Sequence, residues 1–200
     1  MQNEYQPVPT SSSEYWDNRY LTNETGWDMN QVSPPLKSYI DSLSDTDLAI
    51  LIPGCGNAYE AKYLLEKGFK NVTLIDLSKV VTDRLKEKYK NESIGIVNEN
   101  FFDHENKYDV ILEQTFFCAL NPVLREKYVA KCQELLNDHG KIAGVFFNKS
   151  FTATEPPFIA TDNEYRELFE PFFTFLKFEN CTNSIAPRMG YELAFEFEKK

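Results

Sequence analysis

The chain has 200 residues, with 31 acidic side chains against 21 Lys and Arg and a formal net charge of −10. That length suits one domain with a full core, and that charge excludes a nucleic-acid reader, which needs a basic stripe to neutralise phosphates. No apolar run is long enough to span a bilayer and the polar N-terminus does not read as a signal peptide, so no membrane partner and a cytoplasmic location are expected.

Cys55, Cys118, Cys132 and Cys181 are widely spaced, and His104 and His139 are the only histidines. Free thiols and no metal site are therefore expected. Lys86, Lys88 and Lys90 alternate with Glu87 and Tyr89, as on a solvated helix face.

In chain order, Leu48 to Ile52 is too short and aliphatic for a helix and reads as a strand buried on both faces. Gly54 and Gly56 then allow a tight turn and close approach of backbone to a ligand. Asn57 as cap, Glu60 three residues later as in a capping box, and Gly68 as stop predict a helix whose N-terminus faces the crevice. The strand Val72 to Ile75 delivers Asp76 about 20 residues beyond the turn, where such folds place an acid on ribose hydroxyls.

A dinucleotide fingerprint wants a third glycine at position 59, and this chain has Tyr59, with Pro53 and Cys55 crowding the turn and no Walker lysine after it. An NAD-dependent oxidoreductase on a similar sheet is thereby disfavoured. A ligand with adenosine but no phosphate fits better, and S-adenosylmethionine is such a ligand.

The alternation continues with a helix opening near Ser78, a strand Ile94 to Val97 and a strand Tyr108 to Leu112. Asn121 and Pro122 open a helix that runs through Leu124, Tyr128, Leu135 and Leu136 to His139, and Gly140 leads into the strand Ile142 to Phe147. Thr161 and Glu164 form a capping box for a helix through Phe169. Two strands, Phe172 to Glu179 and Tyr191 to Phe197, then follow without a long helix between them and should pair antiparallel. The expected fold is α/β: a doubly wound, mostly parallel seven-stranded sheet with a C-terminal antiparallel hairpin and right-handed crossovers, the Rossmann-like arrangement of class I methyltransferases.

Three stretches resemble the thiopurine S-methyltransferase family, which includes the plant thiol and halide methyltransferases. They are Tyr15-Trp16-Asp17-Asn18-Arg19-Tyr20 with Thr25-Gly26-Trp27-Asp28, then Ile52-Pro53-Gly54-Cys55-Gly56, then Glu113-Gln114-Thr115-Phe116-Phe117-Cys118-Ala119-Leu120. Pro156-Pro157-Phe158 and Ile185-Ala186-Pro187-Arg188 extend the likeness, which is closer to the thiol and halide branch because Gln114 stands where the animal thiopurine enzymes carry an arginine.

The resemblance implies that Trp16, Tyr20 and Trp27 close over S-adenosylmethionine from an N-terminal lid, residues 1–35 of a single domain. It implies that Gly54 lies under the cofactor's amino-acid portion, Asp76 holds its ribose, Asn100 and Phe101 flank adenine, and Gln114 sits near the reacting centre. A sulfonium has no proton to donate, so aromatic faces can hold it at roughly 0.5–2 kcal/mol per contact. Phe116, Phe117 and Phe158 are candidates to line the pocket of a small-molecule methyl acceptor, with Arg188 guiding an anion. For the phenylalanines core packing is the competing reading, and for Arg188 a surface ion pair. The expected acceptor is a small thiol, thiocyanate or halide, with an aromatic thiol of thiopurine type as the alternative. A non-catalytic binding protein of the same fold is a further rival.

Overall fold

A computed structural model describes residue 10, residues 12–149 and residues 156–200. Its central sheet has seven strands in the order β3-β2-β1-β4-β5-β7-β6. The strands are β1 (Ala49–Pro53), β2 (Asn71–Asp76), β3 (Gly95–Asn98), β4 (Tyr108–Gln114), β5 (Leu136–Phe147), β6 (Phe173–Asn180) and β7 (Glu192–Lys199). The first five pair in parallel, and β7 runs antiparallel to both β5 and β6.

The expected hairpin is present, but its last strand does not form the sheet edge. β7 inserts between β5 and β6, where Phe195 and Phe197 are buried. A strand of alternating Phe and Glu gains most when its apolar face is covered by neighbours on both sides.

Helices cover both faces of the sheet: α1 (Ser13–Leu21), α2 (Pro34–Ser42), α3 (Tyr59–Glu66), α4 (Lys79–Lys88), α5 (Arg125–Leu135) and α6 (Asp162–Phe169). Along β1, Ile50 and Ile52 enter the core with Leu64 and Leu74, while Leu51 enters the opposite core with Ile111 and Tyr128. This two-sided burial is why the strand reads as a continuous apolar run. Ser78 caps α4, its hydroxyl accepting from the N–H of Val81 at 3.2 Å, and Thr161 with Glu164 forms the expected capping box on α6.

Two local expectations are corrected. The helix α3 begins at Tyr59 after Ala58 in a left-handed conformation, with no side-chain cap. Asn57 instead donates to Asp28 at 2.5 Å, and the carboxylate of Glu60 accepts from the N–H of Ser33 at 3.0 Å, so both side chains hold the N-terminal segment. The helix α5 stops at Leu135 rather than His139, because Leu136 is drawn fully into the sheet opposite Tyr108. Residues 137–140 form a bulge in which His139, at φ +60°, points to solvent near Glu198.

Candidate active site

The strand order reverses between β1 and β4, and a cavity of about 720 Å³ opens at their carboxyl ends. This is the crevice in which open α/β sheets bind ligands, and its size falls within the roughly 300–1,000 Å³ of small-molecule sites. Trp16, Tyr20, Trp27, Gly54, Asp76, Asn100, Phe101 and Gln114, scattered through the sequence, all line this cavity.

The N-terminal wall is aromatic. Trp27 meets Trp16 edge-on at 5.6 Å between ring centroids and Tyr20 at 5.8 Å, and the Trp16 indole donates to the carbonyl of Thr10. The helix carrying Trp16 and Tyr20 is anchored by Asp17, which accepts from the Ser78 hydroxyl and from the N–H of Val80 at 3.0 Å. It thereby adds a second cap to α4. Of the expected lid, residues 1–9 and residue 11 lie outside the described residues.

Asp76 ends β2 and is 7 % exposed. One carboxylate oxygen accepts from the N–H of Gly56 at 3.0 Å and the other from Ser78 at 2.9 Å. Burial outweighs these donors and pushes its pKa up to about 6. Each oxygen retains acceptor capacity, as a ribose-binding acid requires.

Gln114 ends β4 on the cavity wall, and both its amide oxygen and its nitrogen are buried without a hydrogen-bond partner among the described residues. Leaving such a group unsatisfied costs about 1–3 kcal/mol. A polar ligand in the cavity removes that cost.

Next to it, Glu113 is fully buried and accepts from the N–H groups of Phe116 at 2.7 Å and Phe117 at 3.0 Å and from the Tyr128 hydroxyl at 2.6 Å. It fixes the turn in which Thr115 takes φ +60° and Phe116 packs over Gly54. Burial raises its pKa to about 7. Glu113 is a functional residue beyond those expected from the sequence, and its signal there is an acid ending the apolar run Val110 to Leu112.

The acceptor candidates divide. Phe116 lines the cavity, resting on Phe101 at 5.3 Å. Phe117 does not: it is 1 % exposed and packs among Tyr128, Phe146 and Tyr165 in the core. Phe158 is also absent from the wall, its backbone pairing with Cys118 and its carbonyl with Arg125, while Pro156 and Pro157 beside it reach the cavity. Arg188 is not a surface residue. It is 8 % exposed, pairs with buried Glu192 at 3.3 Å, donates to the carbonyl of Trp27 and lies over the Phe147 ring.

A profile of the family described as thiopurine S-methyltransferase matches residues 11–194, nearly the whole chain. The chain belongs to the thiopurine S-methyltransferase family. Among curated proteins of this kind, a probable thiol methyltransferase 2 of Arabidopsis thaliana is 25 % identical over 196 residues, covering 94 % of this chain and 86 % of the relative. A thiopurine S-methyltransferase of Vibrio campbellii is 25 % identical over 178 residues, covering 80 % and 82 %.

Among solved structures, the magnesium protoporphyrin IX methyltransferase of Synechocystis with bound S-adenosylmethionine superposes with a TM-score of 0.72 at 14 % identity, covering 100 % of both chains. The 1,6-didemethyltoxoflavin-N1-methyltransferase of Burkholderia thailandensis, with bound S-adenosylhomocysteine, gives 0.68 at 19 % identity, covering 94 % and 84 %. At these identities the likeness establishes the class I methyltransferase fold. Membership of the thiopurine S-methyltransferase family makes the enzyme an S-adenosylmethionine-dependent S-methyltransferase. The unpartnered Gln114 amide, the glycine turn and the partly satisfied Asp76 carboxylate suit that cofactor.

Proposed function

We propose that the enzyme methylates a small sulfur or halide nucleophile that arrives already ionised: a low-pKa thiol, thiocyanate or iodide. The observation that carries this reading is the cavity wall that Phe116, Pro156 and Pro157 share with the guanidinium-bearing Arg188, a wall with no histidine among its described residues. Burial pushes Tyr20, Cys55 and Cys118 away from ionisation. Asp76 is engaged by Gly56 and Ser78 at the end assigned to ribose. Bound there, S-adenosylmethionine supplies an electrophilic methyl group on a permanent cation.

The chain's own part is positioning and exclusion of water. In this reading Gly54 and Gly56 admit the cofactor, Asp76 takes ribose hydroxyls, Asn100 and Phe101 border adenine, and Gln114 orients the reacting end. Trp16, Tyr20 and Trp27 offer ring faces to the sulfonium from a segment, residues 1–35, that acts as a lid on a single catalytic domain. The acceptor lies against Phe116, Pro156 and Pro157, with the Arg188 guanidinium as the positive charge that guides it. Because Glu192 already pairs with Arg188, the guanidinium steers a monoanion rather than binding it tightly. Four buried free cysteines among the described residues accord with a cytoplasmic setting.

The deciding experiment is turnover with S-adenosylmethionine against bisulfide, thiocyanate, iodide, thiophenol and a mercaptopurine, with headspace detection of volatile methyl products. Bisulfide, thiocyanate or iodide should be methylated in preference to the mercaptopurine. Methylation of the mercaptopurine alone would move the enzyme to the thiopurine type, and methylation of none would reject the acceptor class.

A further inference from the structure

The cavity wall carries the carboxylates of Glu24, Asp28, Glu60, Asp76 and Glu99. Four of them are accounted for within the protein. Glu24 pairs with Arg19, Glu99 with His104, Asp28 accepts from Asn57 and Tyr59, and Asp76 from two backbone amides.

Glu60 is different. It is 5 % exposed, yet among the described residues its one hydrogen bond to another residue is the N–H of Ser33 at 3.0 Å. Arg188 acts on it only through space, since that guanidinium is directed at Glu192 and the Trp27 carbonyl. Burial raises the Glu60 pKa above the usual carboxylate range in spite of the Ser33 donor. A buried carboxylate without a cation is costly, and a cavity wall is where an incoming cation can relieve it.

Its place in the chain selects the cation. Glu60 sits in the first turn of α3, directly after the Gly54–Gly56 turn, at the end of the crevice assigned to the amino-acid portion of the cofactor. We propose that Glu60 receives the primary ammonium of that portion. The inference rests on the cofactor assignment and adds a residue to it.

The test compares S-adenosylhomocysteine with its deaminated analogue by calorimetric titration of the wild type and of Glu60→Gln. S-Adenosylhomocysteine carries a neutral thioether, so its amino group is the only cation it presents. Glu60→Gln should weaken S-adenosylhomocysteine roughly tenfold to hundredfold, the effect of a lost charge-assisted hydrogen bond. Binding of the deaminated analogue should change less than about twofold on the same substitution, since no ammonium is present to lose its partner.

Equal losses for both ligands would overturn the proposal and make Glu60 a structural tether of Ser33. Should the variant fail to fold, the wild type alone still decides: equal affinity for the two ligands means that no ammonium receptor exists. Binding of neither ligand by the wild type would overturn the cofactor reading itself, and this inference with it.

Discussion

Replacing Gly54 by alanine tests the geometry of the site at one atom. Gly54 has φ +55°, and a β-carbon there would lie 2.3 Å from Cδ2 and 2.9 Å from Cγ of Phe116. A left-handed conformation costs an L-residue about 1–2 kcal/mol. The collision adds about 1–3 kcal/mol, typical of an extra methyl forced into a packed site.

Phe116 has little freedom to relieve it. Its N–H is held by Glu113, and its ring rests on Phe101 at 5.3 Å and Tyr128 at 5.9 Å. The total is about 2–5 kcal/mol, which for a chain of this size lowers the melting temperature by about 4–20 °C.

Gly68 is the internal control, because it has φ +90° but nothing within 4 Å of its would-be β-carbon. Gly68→Ala should therefore show only the backbone component, about 1–2 kcal/mol. The assay is urea and thermal unfolding of both variants, and of Gly54→Ala in a Phe116→Ala background, where the two losses should add to less than their sum by about 1–3 kcal/mol. Equal destabilisation by Gly54→Ala and Gly68→Ala, with additive behaviour toward Phe116→Ala, would refute the contact and the placement of Phe116 over the glycine turn.

Two further predictions concern the buried carboxyls. With the Asp76 pKa at about 6 and its ionised form accepting from the ligand, affinity for S-adenosylhomocysteine should fall roughly tenfold per pH unit as pH drops below 6. Asp76→Ala should flatten that profile and cost about 1.5–3 kcal/mol of binding at neutral pH, and unchanged affinity in calorimetry would reject the ribose assignment. Glu113 is carried from 4.5 to about 7 by burial, so the native state keeps its proton longer than the unfolded chain. Its stabilising contribution is complete below about pH 4.5 and is lost as pH rises through 7. Relative to Glu113→Gln, the wild type should therefore lose unfolding free energy across that window, and a constant difference between the two denaturation profiles would show that Glu113 does not titrate there.

Much of the fold was legible because its signals are local. Apolar runs such as Leu48 to Ile52, caps such as Ser78 and Thr161, and the spacing from Gly56 to Asp76 each depend on a few neighbouring residues and the geometry of one turn. Legibility failed where distant contacts compete with local preference. Glu60 has the spacing of a capping-box acid, but the Ser33 amide, 27 residues earlier in the chain, claims its carboxylate. Leu136 has the spacing of a helix residue, but pairing with Tyr108 on β4 draws it into the sheet and ends α5 early.

The same division runs through the site. The sequence by itself determined the family, the cofactor class and a wall of eight residues that do converge, because most of these motif residues occupy fixed positions on strand ends and turns. Only the tertiary structure separated Phe116, on the cavity, from Phe117, in the core: adjacent residues on a tight turn point in opposite directions, and no periodicity tells which way. It also decided that Arg188 is buried against Glu192 and that Glu113 supports the turn from behind. Each is completed by a partner remote in sequence, the Trp27 carbonyl for Arg188 and the Tyr128 hydroxyl of α5 for Glu113, which only the folded chain brings into reach.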